Sequence, residues 1–129
     1  AGNVATRQAF DTLAFWGADS IRVGIGGGSI CSTRIQTGHG IPTFQSILDC
    51  ASSDTDAILI ADGGIRSSGD IVKSIAAGAD AIMLEVHPDP ENSAVDPLQP
   101  IDFETFGNLM EAMEKVAQAV DRTVGAGLS

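Results

Sequence analysis

The sequence predicts an α/β protein built on a parallel sheet. Three observations carry this. Short apolar runs recur along the chain, and they are continuous rather than alternating, which suits parallel strands buried on both faces. Each run ends in a glycine-rich or polar loop and is followed by helical periodicity. An aspartate precedes each run, at Asp19, Asp56 and Asp80, and the spacings of 37 and 24 residues are those of a strand-plus-helix unit.

The elements follow in order. Residues Ala1 to Val4 can form the stub of a strand. Thr6 can cap a helix whose inward face carries Ala9, Phe10, Leu13 and Ala14. Gly17-Ala18-Asp19 then turns helix into strand, with the glycine closing the helix in a left-handed conformation. A strand runs over Ser20–Ile25. The next helix starts just after Pro42, with Phe44, Ile47, Leu48 and Ala51 as its apolar stripe. A second strand covers Ala57–Ala61. Ser68-Gly69-Asp70 can open a helix with the stripe Ile71, Val72, Ile75 and Ala76, and Gly78-Ala79-Asp80 repeats the earlier turn. A third strand covers Ala81–Val86. Residues Pro88 to Pro100 hold four of the five prolines and form the longest loop. Asp102 caps the longest helix, with Phe103, Phe106, Leu109, Met110, Met113, Val116, Ala117 and Val120 on one face.

At 129 residues and 13.2 kDa this is a single domain. A closed (β/α)8 barrel needs about 200 residues or more. The expected architecture is therefore half of a TIM (β/α)8 barrel: three to four parallel strands with four helices. Such a half leaves both edge strands open and its inner sheet face bare. Self-association through the open edges closes it; the alternative is an open α/β layer with helices on both faces.

Seventeen acidic residues stand against seven basic ones, a net charge of -10. That balance excludes a nucleic-acid or anionic-membrane partner. It does not exclude a small phosphorylated ligand, which backbone amides can cradle. No apolar run reaches transmembrane length and no secretory leader is visible. Two cysteines make no disulfide framework and two histidines leave little for zinc, so a reducing, cytoplasmic setting is expected.

Several residues could carry chemistry. Cys31 follows a glycine-rich turn at a strand end, where a thiolate could act as nucleophile; a buried loop cysteine is the alternative. Asp62-Gly63-Gly64 stands at a strand's C-terminal end, where barrels bind ligands, although any tight strand exit could read the same. Glu85 and Asp96 could share a divalent ion weakly or be loop carboxylates. Arg34 and Lys73 could face a phosphate or solvent. His39 is expected in a solvated loop, Cys50 in packing, and Trp16 over the helix–sheet seam. No G-x-G-x-x-G fingerprint opens a helix.

The run Gly24-Ile25-Gly26-Gly27-Gly28-Ser29-Ile30-Cys31-Ser32-Thr33-Arg34 resembles the active-site loop of the IMP dehydrogenase / GMP reductase family. Gly2-Asn3-Val4, Thr37-Gly38-His39-Gly40-Ile41-Pro42, Ala61-Asp62-Gly63-Gly64-Ile65 and Ser68-Gly69-Asp70-Ile71-Val72-Lys73 agree in the same order. The resemblance covers residues 1–84. It implies that Cys31 attacks C2 of a purine with Thr33 assisting. It also implies that Asp62 holds the ribose hydroxyls, that Ser29 and Gly64 contact phosphate, and that the carbonyls of Gly26, Gly28 and Cys31 form part of a potassium site. NAD(P) and potassium are the family's cofactors; none is expected for the isolated chain.

From Glu85 the pattern changes. Glu85-Val86-His87-Pro88-Asp89-Pro90-Glu91-Asn92, with Asp96 and the following helix, resembles the C-terminal unit of the 3-deoxy-arabino-heptulosonate-7-phosphate synthases over residues 85–122. This implies Glu85 and Asp96 as metal ligands. That family's cysteine and histidine ligands have no counterpart here, so the divalent site would be vestigial. The chain thus reads as one half-barrel domain, 1–129, joined from a 1–84 and an 85–129 segment by recombination or design; an unusual natural C-terminus is the alternative. The expected function is that of a half-barrel fragment without catalysis, descended from a purine-nucleotide oxidoreductase. The alternative is a module still using Cys31 as nucleophile.

Overall fold

The structure, a computed structural model, describes residues 1–28, 32–94, 99–119, 121 and 123–125, without the side chains of residues 32 and 33. The N-terminal stub is a strand, β1 (Gly2–Val4). Thr6 then caps α1 (Arg7–Phe15), its hydroxyl accepting from the Ala9 amide at 3.4 Å. Next come β2 (Ser20–Val23), a short α2 (Ser32–Thr37) and α3 (Thr43–Ala51). β3 (Ile58–Asp62) leads to α4 (Ser68–Ala76), and β4 (Ala81–Met83) leads through a single 3-10 turn at Pro90–Asn92 to α5 (Phe103–Ala119). Asp102 caps α5, accepting from the Thr105 amide at 2.6 Å. Val120, expected on the α5 stripe, lies outside the described residues.

The four strands form one parallel sheet in the order β1-β2-β3-β4. Each strand thus lies beside its sequence neighbour, and each connection carries a helix. Right-handed crossovers that always step the same way put every helix on the same face. The packing agrees: α1 contacts α3, α3 contacts α4 and α4 contacts α5, in one continuous layer. This is half of a (β/α)8 barrel, and the alternative with helices on both faces is set aside.

The strand expectation needs two corrections. Only one sheet face is covered. Ile21, Val23, Leu59 and Ala61 point into the helix layer and are buried, whereas Ile58 and Met83 on the opposite face are 49% and 39% exposed. The apolar runs are continuous because the fold supplies helices for one face and leaves the other for a barrel interior. The strands are also shorter than expected. β2 ends at Val23, where Gly24 adopts a φ of +150°. β4 ends at Met83, and Val86 instead makes an isolated parallel bridge to Ile101.

The core crosses the whole chain. Phe10, Ile21, Val23, Ile47, Cys50, Leu59, Ile71, Ile101 and Leu109 belong to one buried cluster. Cys50 packs there as expected. Trp16 does not cover the helix–sheet seam. It stands at the α1 C-cap, 74% exposed, because α1 ends one residue earlier and the Gly17 turn carries the chain away.

Candidate functional site

The site lies at the C-terminal ends of β2, β3 and β4, where the loops of a parallel barrel gather. Asp62 ends β3 with its side chain 17% exposed. Its position follows from register. Arg22 of β2 lies opposite Ile60 of β3, so Arg22 and Asp62 share the open sheet face as diagonal neighbours. The Arg22 guanidinium donates to Asp62 Oδ2 at 2.7 Å. Asn3 Nδ2, from β1, donates to the same oxygen at 2.6 Å and to the Gly24 carbonyl at 3.0 Å. Three strands therefore converge on one carboxylate oxygen, and among the described residues neither of these donors uses Oδ1.

Two glycine loops interlock beside this cluster. A Cβ at Gly64, whose φ is +74°, would stand 2.7 Å from the Gly27 carbonyl oxygen, so the β3 loop lies against the β2 loop as only glycine allows. Thr43, at the start of α3, ties the two together by donating from Oγ1 to the Gly63 carbonyl at 3.2 Å. The Ile41 amide donates to Ile25 at 3.0 Å and holds the return segment across the loop. The loop after β4 reaches in from the other side. Gln99 Nε2 donates to Glu85 Oε1 at 2.9 Å, and a Cβ at Gly28 would meet Gln99 Oε1 at 2.8 Å. Gln99 thus covers the buried Gly28.

Asp62 and Gly64, expected at the ligand, are brought together with Gly28, whereas Gly26 lies against Gly40 and Arg34. Glu85 joins them only through Gln99. Ser29, Cys31 and Asp96 lie outside the described residues, as does the side chain of Thr33. The Gly26 carbonyl accepts from Arg34 Nη1 at 3.4 Å. Among the described residues no group of three or more His, Cys, Asp or Glu assembles, and Asp96, the expected partner of Glu85, is not among them. His39 is exposed in its loop, with Nδ1 at 2.7 Å from the Thr37 carbonyl. Lys73 turns to Asp70 of its own helix at 3.3 Å.

Asn3, Arg22, Thr43 and Gln99 were not singled out by the sequence. Arg22 had a signal: it is a charge in the middle of an apolar strand. Asn3 sits in a motif but carries no charge, and Gln99 lies in a proline-rich loop with no periodicity to place it.

A family model described as "IMP dehydrogenase / GMP reductase domain" matches residues 1–86, two thirds of the chain. The chain belongs to the IMP dehydrogenase / GMP reductase family. A second model, "DAHP synthetase I family", matches residues 68–122, so α4 and β4 lie within both matches. The inosine-5'-monophosphate dehydrogenase of Thermoplasma acidophilum is 58% identical over 86 residues, 65% of this chain and 18% of that protein. The GMP reductase of Leishmania major is 50% identical over 86 residues, with the same shares of 65% and 18%. The chain therefore spans less than a fifth of the length of these relatives. Among solved structures, the dehydrogenase of Legionella pneumophila superposes with a TM-score of 0.60 at 57% identity, covering 65% of this chain and 25% of that one. The GMP reductase of Trypanosoma brucei in complex with guanosine 5'-monophosphate gives 0.62 at 45%, covering 65% and 18%.

Proposed function

We propose that the chain is a recombined or engineered half-barrel that retains a purine-nucleotide half-site and does not turn it over. The observation that carries this is the convergence of Asn3, Arg22 and the interlocked glycine loops on Asp62 at the strand ends. A carboxylate held by two donors on one oxygen is fixed in place, and it can accept ribose hydroxyls by exchanging one of them. The amides of the loops ending at Gly28 and Gly64 supply the environment a phosphate needs without basic side chains. The family membership and the nucleotide bound to the Trypanosoma neighbour support the ligand class. A cytoplasmic setting, where such nucleotides occur, belongs to the same reading.

Loss of turnover follows from geometry. Oxidoreduction of a purine needs a second reactant aligned with it, and a misplacement of about 1 Å can cost about a hundredfold. Four strands supply half the wall of an eight-stranded mouth. NAD(P) and potassium, the cofactors of the parent family, therefore have no step in this proposal.

The test is thermal unfolding with IMP or GMP at millimolar concentration. A ligand at about 100 times its dissociation constant adds roughly 2.7 kcal/mol, about 10 °C for a domain of this size. The upward shift should vanish in Asp62→Ala while the far-UV CD spectrum is retained. No shift in the unsubstituted chain would overturn the half-site. Formation of NADH from IMP and NAD would overturn the claim of no turnover and favour Cys31 as a working nucleophile.

A further inference from the structure

We infer that two copies of this chain close into one eight-stranded barrel, with β1 of each pairing in parallel with β4 of the other. Three features of the structure point there. All four strands run in one direction in sequence order, and both edges of the sheet are strands. A twofold axis along the barrel preserves strand direction, so it sets β4 of a second copy parallel to β1. Pairing of β1 with β1 and β4 with β4 across a perpendicular twofold would make both seams antiparallel, which the all-parallel ladder of this sheet does not continue. Four strands with helices on one side span half of an eight-stranded barrel. A second copy therefore closes both seams at once, as a cyclic pair.

Each edge is flanked by a cleft lined largely by apolar groups, placed where a neighbouring unit would pack. The one at β1, about 700 Å³, is lined by Val4, Ala9, Leu13 and the exposed Trp16. The one at β4, about 210 Å³, is lined by Ile75, Ile82, Met113 and Ala117. In the closed pair α5 of one copy lies beside α1 of the other, and both clefts become interior. The same closure buries Ile58 and Met83, which the single chain leaves open on the inner face. The remainder of a longer chain could cover the same edges, and the oligomeric state of the 129-residue chain separates that from a second copy.

Closure opposes a net charge of -10 on each copy. Association should therefore strengthen with added salt, which screens repulsion over about 10 Å at 0.1 M. Trp16 is the sole tryptophan, so its emission reports on the β1 seam alone. The experiment is light scattering and tryptophan fluorescence across a concentration series. The expected result is a species of twice the 13.2 kDa chain mass, with emission moving to shorter wavelength as it forms. Trp16→Glu, at an exposed site, should keep the CD spectrum and shift the chain to monomer. Leu48→Glu, on the outer side of the central α3, should leave the dimer intact. A chain that stays monomeric at high concentration in 0.5 M salt overturns the proposal. So do a dimer whose Trp16 emission stays that of an exposed indole, and an assembly that grows beyond two.

Discussion

Cys50 shows how a single residue's chemistry is set by its place. Burial pushes its thiol up to about 11, and the carboxylates of Asp49 and Asp11 add to the effect. At pH 8 only about one molecule in a thousand carries the thiolate, the form that reacts. Cys50 should therefore resist iodoacetamide in the folded chain and react after unfolding, as mass spectrometry of the alkylated peptides will show. The same shift ties stability to pH. The folded thiol keeps its proton above the ordinary value near 9, so the contribution is complete below pH 9 and is lost as pH rises towards 11. Asp70 works in the opposite direction. Burial alone would raise its carboxyl, but hydrogen bonds from the Ser67 hydroxyl and the Arg66 amide, with Lys73, hold it below the usual carboxylate range. Its contribution is present at neutral pH and fades only in acid. Packing was expected of Cys50 at its helix end, but not the face it shares: Ser46, Ile47 and Cys50 turn inward, while Phe44 and Leu48 of the expected stripe stand exposed. The Arg22–Asp62 pair was not legible, because it depends on the register between two strands 40 residues apart.

At the scale of elements, the two Gly-Ala-Asp turns are the clearest case of sequence dictating structure. Gly17 and Gly78 both follow a helix and both adopt positive φ, +93° and +108°. Their surroundings differ. A Cβ at Gly17 would meet nothing within 4 Å, whereas one at Gly78 would stand 2.6 Å from the Cβ of Ala51 on α3. Gly17→Ala should cost about 1–2 kcal/mol, the strain of a left-handed residue alone. Gly78→Ala should cost clearly more, since α3 and α4 must separate, and urea unfolding of both variants checks the difference. Helices with a cap and an apolar stripe were readable for the same local reason at Thr6 and Asp102, whereas α4 is capped by Ser67, one residue before the start the sequence suggested. α2 escaped because six residues carry no stripe, and the ends of β2 and β4 escaped because backbone conformation, not hydrophobicity, sets them.

For the molecule as a whole, the α/β class and the half-barrel were readable because strand and helix patterns alternate and length caps their number. Whether the two faces of the sheet would be treated alike was not readable, since a continuous apolar run is consistent with one covered face or two. The change of sequence family near β4 leaves no break in the packing: Ile101 and Leu109 join the same core as Ile21 and Ile71. The order β1-β2-β3-β4 has a consequence in time. Every strand pairs with the one made just before or after it, so no segment must wait for a distant partner to be synthesised. Each unit can dock on its predecessor as it leaves the ribosome, and the half-barrel should be nearly assembled when its last helix emerges. The edges alone must find their match by diffusion. Stopped-flow refolding followed by CD should then show a main phase independent of protein concentration. Trp16 fluorescence should lag behind it and quicken as the concentration is raised; a single phase common to both signals would contradict that order of events.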